Sequence, residues 1–164
     1  MDFFRATRNF ARHVRVLIRS ALQGGRARGL HELRRTLHQA ARAYQGGGLP
    51  ALEMVLDSPG ATPLAPGNLD WALEQADALA ALLRVRPFRY CMRRTVLRYW
   101  VLRAAGRRSV FVIGAERNQE LEGHAWIEMD GKPFREENDR PRRMTVVYRH
   151  EERMALNTSL EERI

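Results

Sequence analysis

The sequence has one cysteine, Cys91, and one lysine, Lys132. A single cysteine excludes an internal disulfide framework and a multi-cysteine zinc site. The five histidines, at 13, 31, 38, 124 and 150, are too dispersed to form a ligand set, so neither a metal nor any other cofactor is expected. No apolar run reaches the roughly 20 residues that a membrane span needs. The first residues, MDFFRATRNFARHVRVLIRSAL, lack an unbroken apolar segment and a small-residue cleavage site. They do not read as a secretory signal, and the expected compartment is the cytoplasm.

What the chain has in excess is arginine. Residues 1–48 hold ten arginines against Asp2 and Glu32, and the net charge of the 164 residues is +9. Solvated helix faces account for such a bias, and a docking surface for an acidic peptide is the sharper alternative. A nucleic-acid ligand would call for a helix-turn-helix or base-stacking aromatics beside the charge, and neither is present. No specific nucleic acid is therefore expected. At 45% hydrophobic and 29% charged, the composition is that of a globular chain with one real core.

Apolar spacings of three and four predict an amphipathic helix over 3–23, stopped by Gly24-Gly25, and a second over 29–45, stopped by Gly46-Gly47-Gly48 and Pro50. A short apolar stretch, 52–56, leads into a proline-punctuated loop. A third helix is expected over 70–85, capped by Asn68 or Asp70. A fourth, CMRRTVLRYWVLRAA, runs from Cys91 to Ala105 and closes at Gly106. Strands follow: SVFVIGAE, then HAWIEM with the hairpin signal Asp130-Gly131, a return strand KPFRE, and RMTVVYRH. The expected class is α+β. The expected division is an arginine-rich helical region over 1–66, a core over 67–150 carrying a helix on a small antiparallel sheet, and a polar tail over 151–164.

A lone cysteine on an apolar helix ordinarily reads as a small buried hydrophobe. Cys91, however, opens its helix, where unpaired N–H groups and the helix dipole stabilise a thiolate. Arg89, Arg93 and Arg94 add positive potential. A strand-borne histidine, His124, follows, with Trp126 and Glu128 on its face. A helix-start cysteine facing a strand histidine is the arrangement of papain-like catalysis, with Cys91 as nucleophile and His124 as its base. The imidazole then needs a carboxylate acceptor. A two-residue turn at Asp130-Gly131 would pair Met129 with Lys132 and His124 with Glu137; a one-residue bulge would bring Glu136 there instead. On pairing alone Glu136, Glu137 and Asp139 all stay open. The backbone N–H of Cys91 is the natural oxyanion donor.

The run YCMRRTVLRYWVLRAAGRRSVFVIGAE, continued by GHAWIEMDGKP, resembles the peptidase domain of lasso-peptide maturation B proteins, within the transglutaminase-like cysteine protease superfamily. The resemblance covers about residues 70–137. It implies a leader peptidase with a Cys–His–acid triad acting on a ribosomally synthesised peptide precursor. Carried onto this chain, the triad is Cys91, His124 and, by the family's spacing, Glu136, where the family usually has aspartate. The resemblance further implies the precursor's leader as substrate, a separate leader-recognition protein as partner, and an asparagine-synthetase-like cyclase as a candidate further partner. Acyl transfer through the same thioester uses identical groups. A non-enzymatic basic helical binding protein is the alternative of a different class.

Overall fold

The computed structural model describes residues 3–22, 24–58, 68–117, 121–136 and 138–151. Among the described residues four helices precede the sheet: α1 (Phe3–Leu22), α2 (Gly24–Leu56), α3 (Leu69–Leu82) and α4 (Tyr90–Ala104). The strands β1 (Val110–Arg117), β2 (Leu121–Met129), β3 (Lys132–Pro133) and β4 (Thr145–Glu151) form one antiparallel sheet in the order β3-β2-β1-β4. A one-turn helix, α5 (Arg140–Arg143), leads into β4. The architecture is α+β, helices first and a small antiparallel sheet after them.

The second helix departs from the expected 29–45. The three glycines do not end it; Gly48 takes φ 65° and ψ −148°, a conformation only glycine adopts readily, and bends the chain. Pro50 then falls in the first turn of the continuation, where a missing N–H leaves no hydrogen bond unmade. The apolar stretch 52–56 is thereby helical, and Leu52 and Leu56 are buried. Asn68 stands at the N-cap of α3 without a side-chain cap bond, and the proline-rich loop lies largely outside the described residues.

One core holds these elements together. Leu33, Leu37 and Leu52 of α2, Leu73 and Leu79 of α3, and Val96, Leu97 and Leu102 of α4 pack with Phe111 and Ile127 of the central strands. Tyr99 is fully buried in it, edge-on to Phe111, and Trp100 is partly buried against it. Core packing, rather than a substrate platform, is the place of both aromatics. A smaller cluster of Val112, Trp126 and Met144 covers the other face of the sheet.

The hairpin is where sequence logic and structure part. Met129 pairs with Lys132, and Asp130 and Gly131 both take positive φ, as that turn demands. The return strand, expected over KPFRE, stops at Pro133. Phe134 still donates its N–H to the Ile127 carbonyl at 2.8 Å, and then Arg135 adopts φ 52°. A left-handed arginine swings the chain out of strand pairing. Arg98 holds the bend, with Nη1 3.5 Å from the Phe134 carbonyl and 3.2 Å from that of Arg135.

Candidate active site

Cys91 is the second residue of α4, following the extended Arg89 at the N-cap. The first intrahelical bond in this turn runs from the Arg93 N–H to the Arg89 carbonyl at 3.1 Å, so the N–H groups before it face outward. The Cys91 sulfur takes the Met92 N–H and, from the sheet, the Ala125 N–H. Beside it stands the His124 imidazole. Burial pushes the thiol up, but the imidazole and the two amides outweigh burial and leave the thiol below its ordinary value.

His124 is buried. Its Nε2 lies 3.1 Å from Oε2 of Glu136, which leaves Nδ1 as the nitrogen for the sulfur. The cysteine first, and Glu136 second, raise the imidazole to about 9 against the opposing effect of burial. A thiol lowered from its ordinary value beside an imidazole raised to about 9 favours the thiolate–imidazolium form of the pair. The Trp126 ring stacks on His124 at a centroid distance of 6.0 Å and 17° between planes. Trp126 Nε1 donates to Glu128 Oε1 at 3.1 Å, and Arg149 grips the other Glu128 oxygen at 2.6 Å. Glu128 therefore fixes the indole, and the indole backs the imidazole.

The neighbours of Trp126 leave no slack. Gly114, directly opposite His124 in the β1–β2 register, lies under the indole. A Cβ at that position would sit 2.7 Å from Trp126 Cη2 and 2.9 Å from Met144 Cβ. Only glycine lets the ring lie where it supports His124.

Glu136 is almost wholly enclosed, with 4% of its side chain exposed. Arg94 Nη2 donates to its Oε1 at 2.6 Å, and Arg98 Nη1 lies 3.8 Å from the same oxygen. Arg98 is itself anchored by a two-pronged pair to Asp77 at 2.7 and 2.8 Å. Burial pushes the Glu136 carboxyl up, while His124 and both guanidinium groups together hold it below the usual carboxylate range. Cys91, Arg94 and Arg98 are spaced by three and four on α4, so one helix face carries the thiol and both clamps of the carboxylate.

The structure thus brings Cys91, His124 and Glu136 together. It does not bring Asp139, whose side chain is 82% exposed and lies 3.9 Å from Arg142. Glu137 lies outside the described residues. Pairing logic reaches neither Glu136 nor its geometry, because no bulge delivers it; the chain leaves the strand and returns through the left-handed Arg135. The arginines near Cys91 also act differently from the expectation of a general positive potential. Arg93 donates to the carbonyls of Ala80 and Phe88 at 2.9 and 2.7 Å, and Arg94 turns to Glu136. Their helical spacing from Cys91 was the available sign of a shared face.

A family model of the transglutaminase-like superfamily matches residues 2–149, and the chain belongs to that superfamily. Its members are typically enzymes, cysteine proteases or transferases, so a cysteine-based acyl chemistry is the activity class this fold supports. The match takes in the arginine-rich helices together with the sheet. No curated protein and no solved structure matches the chain. Among the described residues no helix is long and apolar enough to cross a membrane.

Proposed function

We propose that this chain is a cytoplasmic cysteine peptidase that removes the leader from a ribosomally synthesised, lasso-type peptide precursor, using Cys91, His124 and Glu136. The observation that carries the catalytic reading is His124 held between the Cys91 sulfur and the Glu136 carboxylate. The Cys91 thiolate attacks the scissile carbonyl, and the oxyanion forms beside the N–H of Cys91 at the start of α4. Collapse breaks the C–N bond as the imidazolium of His124 gives its proton to the leaving amine. The neutral imidazole then takes a proton from water, whose oxygen adds to the thioester. Expulsion of the thiolate frees the leader carboxylate. Glu136 accepts from Nε2–H throughout, holding the tautomer and the imidazolium charge.

The peptide substrate class rests on the likeness of 70–137 to lasso-peptide maturation B proteins. The same likeness implies a separate recognition protein that delivers the leader to the site. Tethering the precursor at the site raises its effective concentration to roughly the millimolar range. The test is a cleavage time course on precursor with and without a leader-binding partner. Shortened core peptide with a free leader carboxylate, formed orders of magnitude faster with the partner, supports the reading. A leader-amide product identifies acyl transfer instead, and rapid cleavage by this chain alone contradicts the need for a partner.

A further inference from the structure

The outer edge of β2 is covered over only part of its length. β3 pairs with Glu128 and Met129, and the Phe134 N–H reaches Ile127. That bond shows that the odd-numbered residues of β2 aim their N–H and C=O groups outward, away from β1. At Ala125 the outward N–H goes to the Cys91 sulfur. Gly123 is the next residue of that parity, and no described strand lies beside it. An exposed backbone edge thus runs straight into the sulfur.

Beside that edge is a cavity of about 180 Å³ containing Cys91 and His124 in its wall. Apart from Gly123 and the charged Arg89, the rest of its lining is apolar: Tyr44, Pro87, Phe88, Met92, Ile113 and Ala125. Tyr44 and Phe88 meet with ring centroids 5.4 Å apart, which braces one wall across α2 and the loop before α4. An apolar cavity of roughly 150 Å³ accepts a benzene ring. This one therefore holds one large aliphatic or aromatic side chain.

We propose that the substrate binds as an extended strand on the Gly123 edge of β2, placing an apolar side chain of about leucine size in this cavity and the adjoining carbonyl at Cys91. Main-chain pairing supplies sequence-independent affinity, and the cavity supplies selection, the division of labour found wherever a peptide extends a sheet. The inference rests on Cys91 being the nucleophile and names what that nucleophile selects. Gly123 has a place in it: a Cβ there would have only the Gly114 carbonyl oxygen near, at 4.0 Å, and it would point to the same side of β2 as Ala125. A larger residue at 123 fits the strand and fills the cavity.

The experiment uses the full chain and peptidyl chloromethyl ketones, whose chloride the Cys91 thiolate displaces. Leucine, valine, alanine, glycine or aspartate occupies each of the two positions before the reactive carbon, and alkylation is followed by intact mass. Leucine at one position should label at least ~10-fold faster than glycine. In Gly123→Leu, checked for folding by its melting temperature, that ratio should collapse to about twofold or less. Separately, an N-methyl scan of the leucine reagent should reveal one amide whose methylation slows wild-type labelling about tenfold, since it removes a pairing N–H. A flat panel, or a leucine preference that survives in Gly123→Leu, overturns the cavity assignment. Tolerance of every N-methyl group overturns the edge. Iodoacetamide serves as the unselective control: if it labels Cys91 while the panel is flat, only this inference fails, and if no reagent labels Cys91, the peptidase reading fails with it.

Discussion

Replacing Glu136 by glutamine removes one charge and keeps the shape, so its consequences follow from what surrounds the carboxylate. Three groups converge on it: His124 Nε2 at 3.1 Å, Arg94 at 2.6 Å and Arg98 at 3.8 Å. Breaking a buried ion pair by removing one partner costs 3–5 kcal/mol, because the remaining charge is stranded. Arg98 keeps Asp77, so the low end applies, about 3 kcal/mol. For a chain of this size that is a fall of roughly 6–12 °C in Tm. The effect on pH dependence has a definite sign. The folded Glu136 carboxyl is depressed below 4.5, so its stabilisation is present above 4.5 and is lost as pH falls through the depressed value. Glu136→Gln lacks that acid-side slope. Catalysis should fall ~10–100-fold, less than the ~10⁴ seen when a serine triad loses its carboxylate, because two amides already stabilise the Cys91 thiolate. The alkaline limb of kcat/KM should also move down, since the second-largest support of the His124 imidazolium is gone. The assays are precursor cleavage on folded variants with any recognition partner present, a pH–rate profile and a thermal melt. Full activity with an unmoved alkaline limb in Glu136→Gln would show that the carboxylate does not support the imidazole. If Glu137→Gln or Asp139→Asn lost activity instead, another carboxylate would hold the imidazole.

Four further outcomes follow from the site. For wild type, kcat/KM should be bell-shaped, rising as Cys91 ionises below its ordinary value and falling as His124 deprotonates near about 9; a profile still rising above pH 10 contradicts the ion pair. His124 contributes stability that is full below 6.5 and lost as pH rises through about 9, while the depressed Cys91 thiol contributes in the opposite sense, its share lost as pH falls below its ordinary 9. The two offset, so Tm should change little between 6.5 and about 9, and a steep decline there would show a protonated thiol beside the imidazolium. Gly114→Ala forces the Trp126 ring from under its Cβ, so it should cost about 1–3 kcal/mol and lower turnover through His124; an unchanged melt and rate would show that the indole has room. Chelation should leave activity untouched, and stoichiometric zinc lost together with activity would overturn the metal-free mechanism.

How much of this was legible in the sequence differs by element, for physical reasons. The helix from Cys91 and the strand from His124 announce themselves because their signals are local: an apolar repeat closed by glycine, and a short alternating run before Asp130-Gly131. The length of α2 was hidden. Three glycines and a proline ordinarily stop a helix, and only the tertiary contacts of Leu52 and Leu56 make the bent continuation favourable. The carboxylate was the hardest part. Strand pairing predicts positions from a regular register, and the chain abandons that register at Pro133 through a left-handed arginine. Local sequence does not encode that turn. The grip of Arg98 on two carbonyls of the loop does, and that is a contact across 36 and 37 residues. Arg94 was visible as a charge near the cysteine, but its partner was not, since the acceptor lies on the far side of the sheet in sequence.

The His124 imidazole that faces Cys91 holds its thiol below the ordinary value. The rate of iodoacetamide labelling against pH, in wild type and in His124→Ala, tests that directly. Wild type should show an inflection below the ~8.5 of a free thiol, and the variant should shift it upward. A wild-type inflection at or above that value, or a folded protein whose Cys91 does not label, would contradict it.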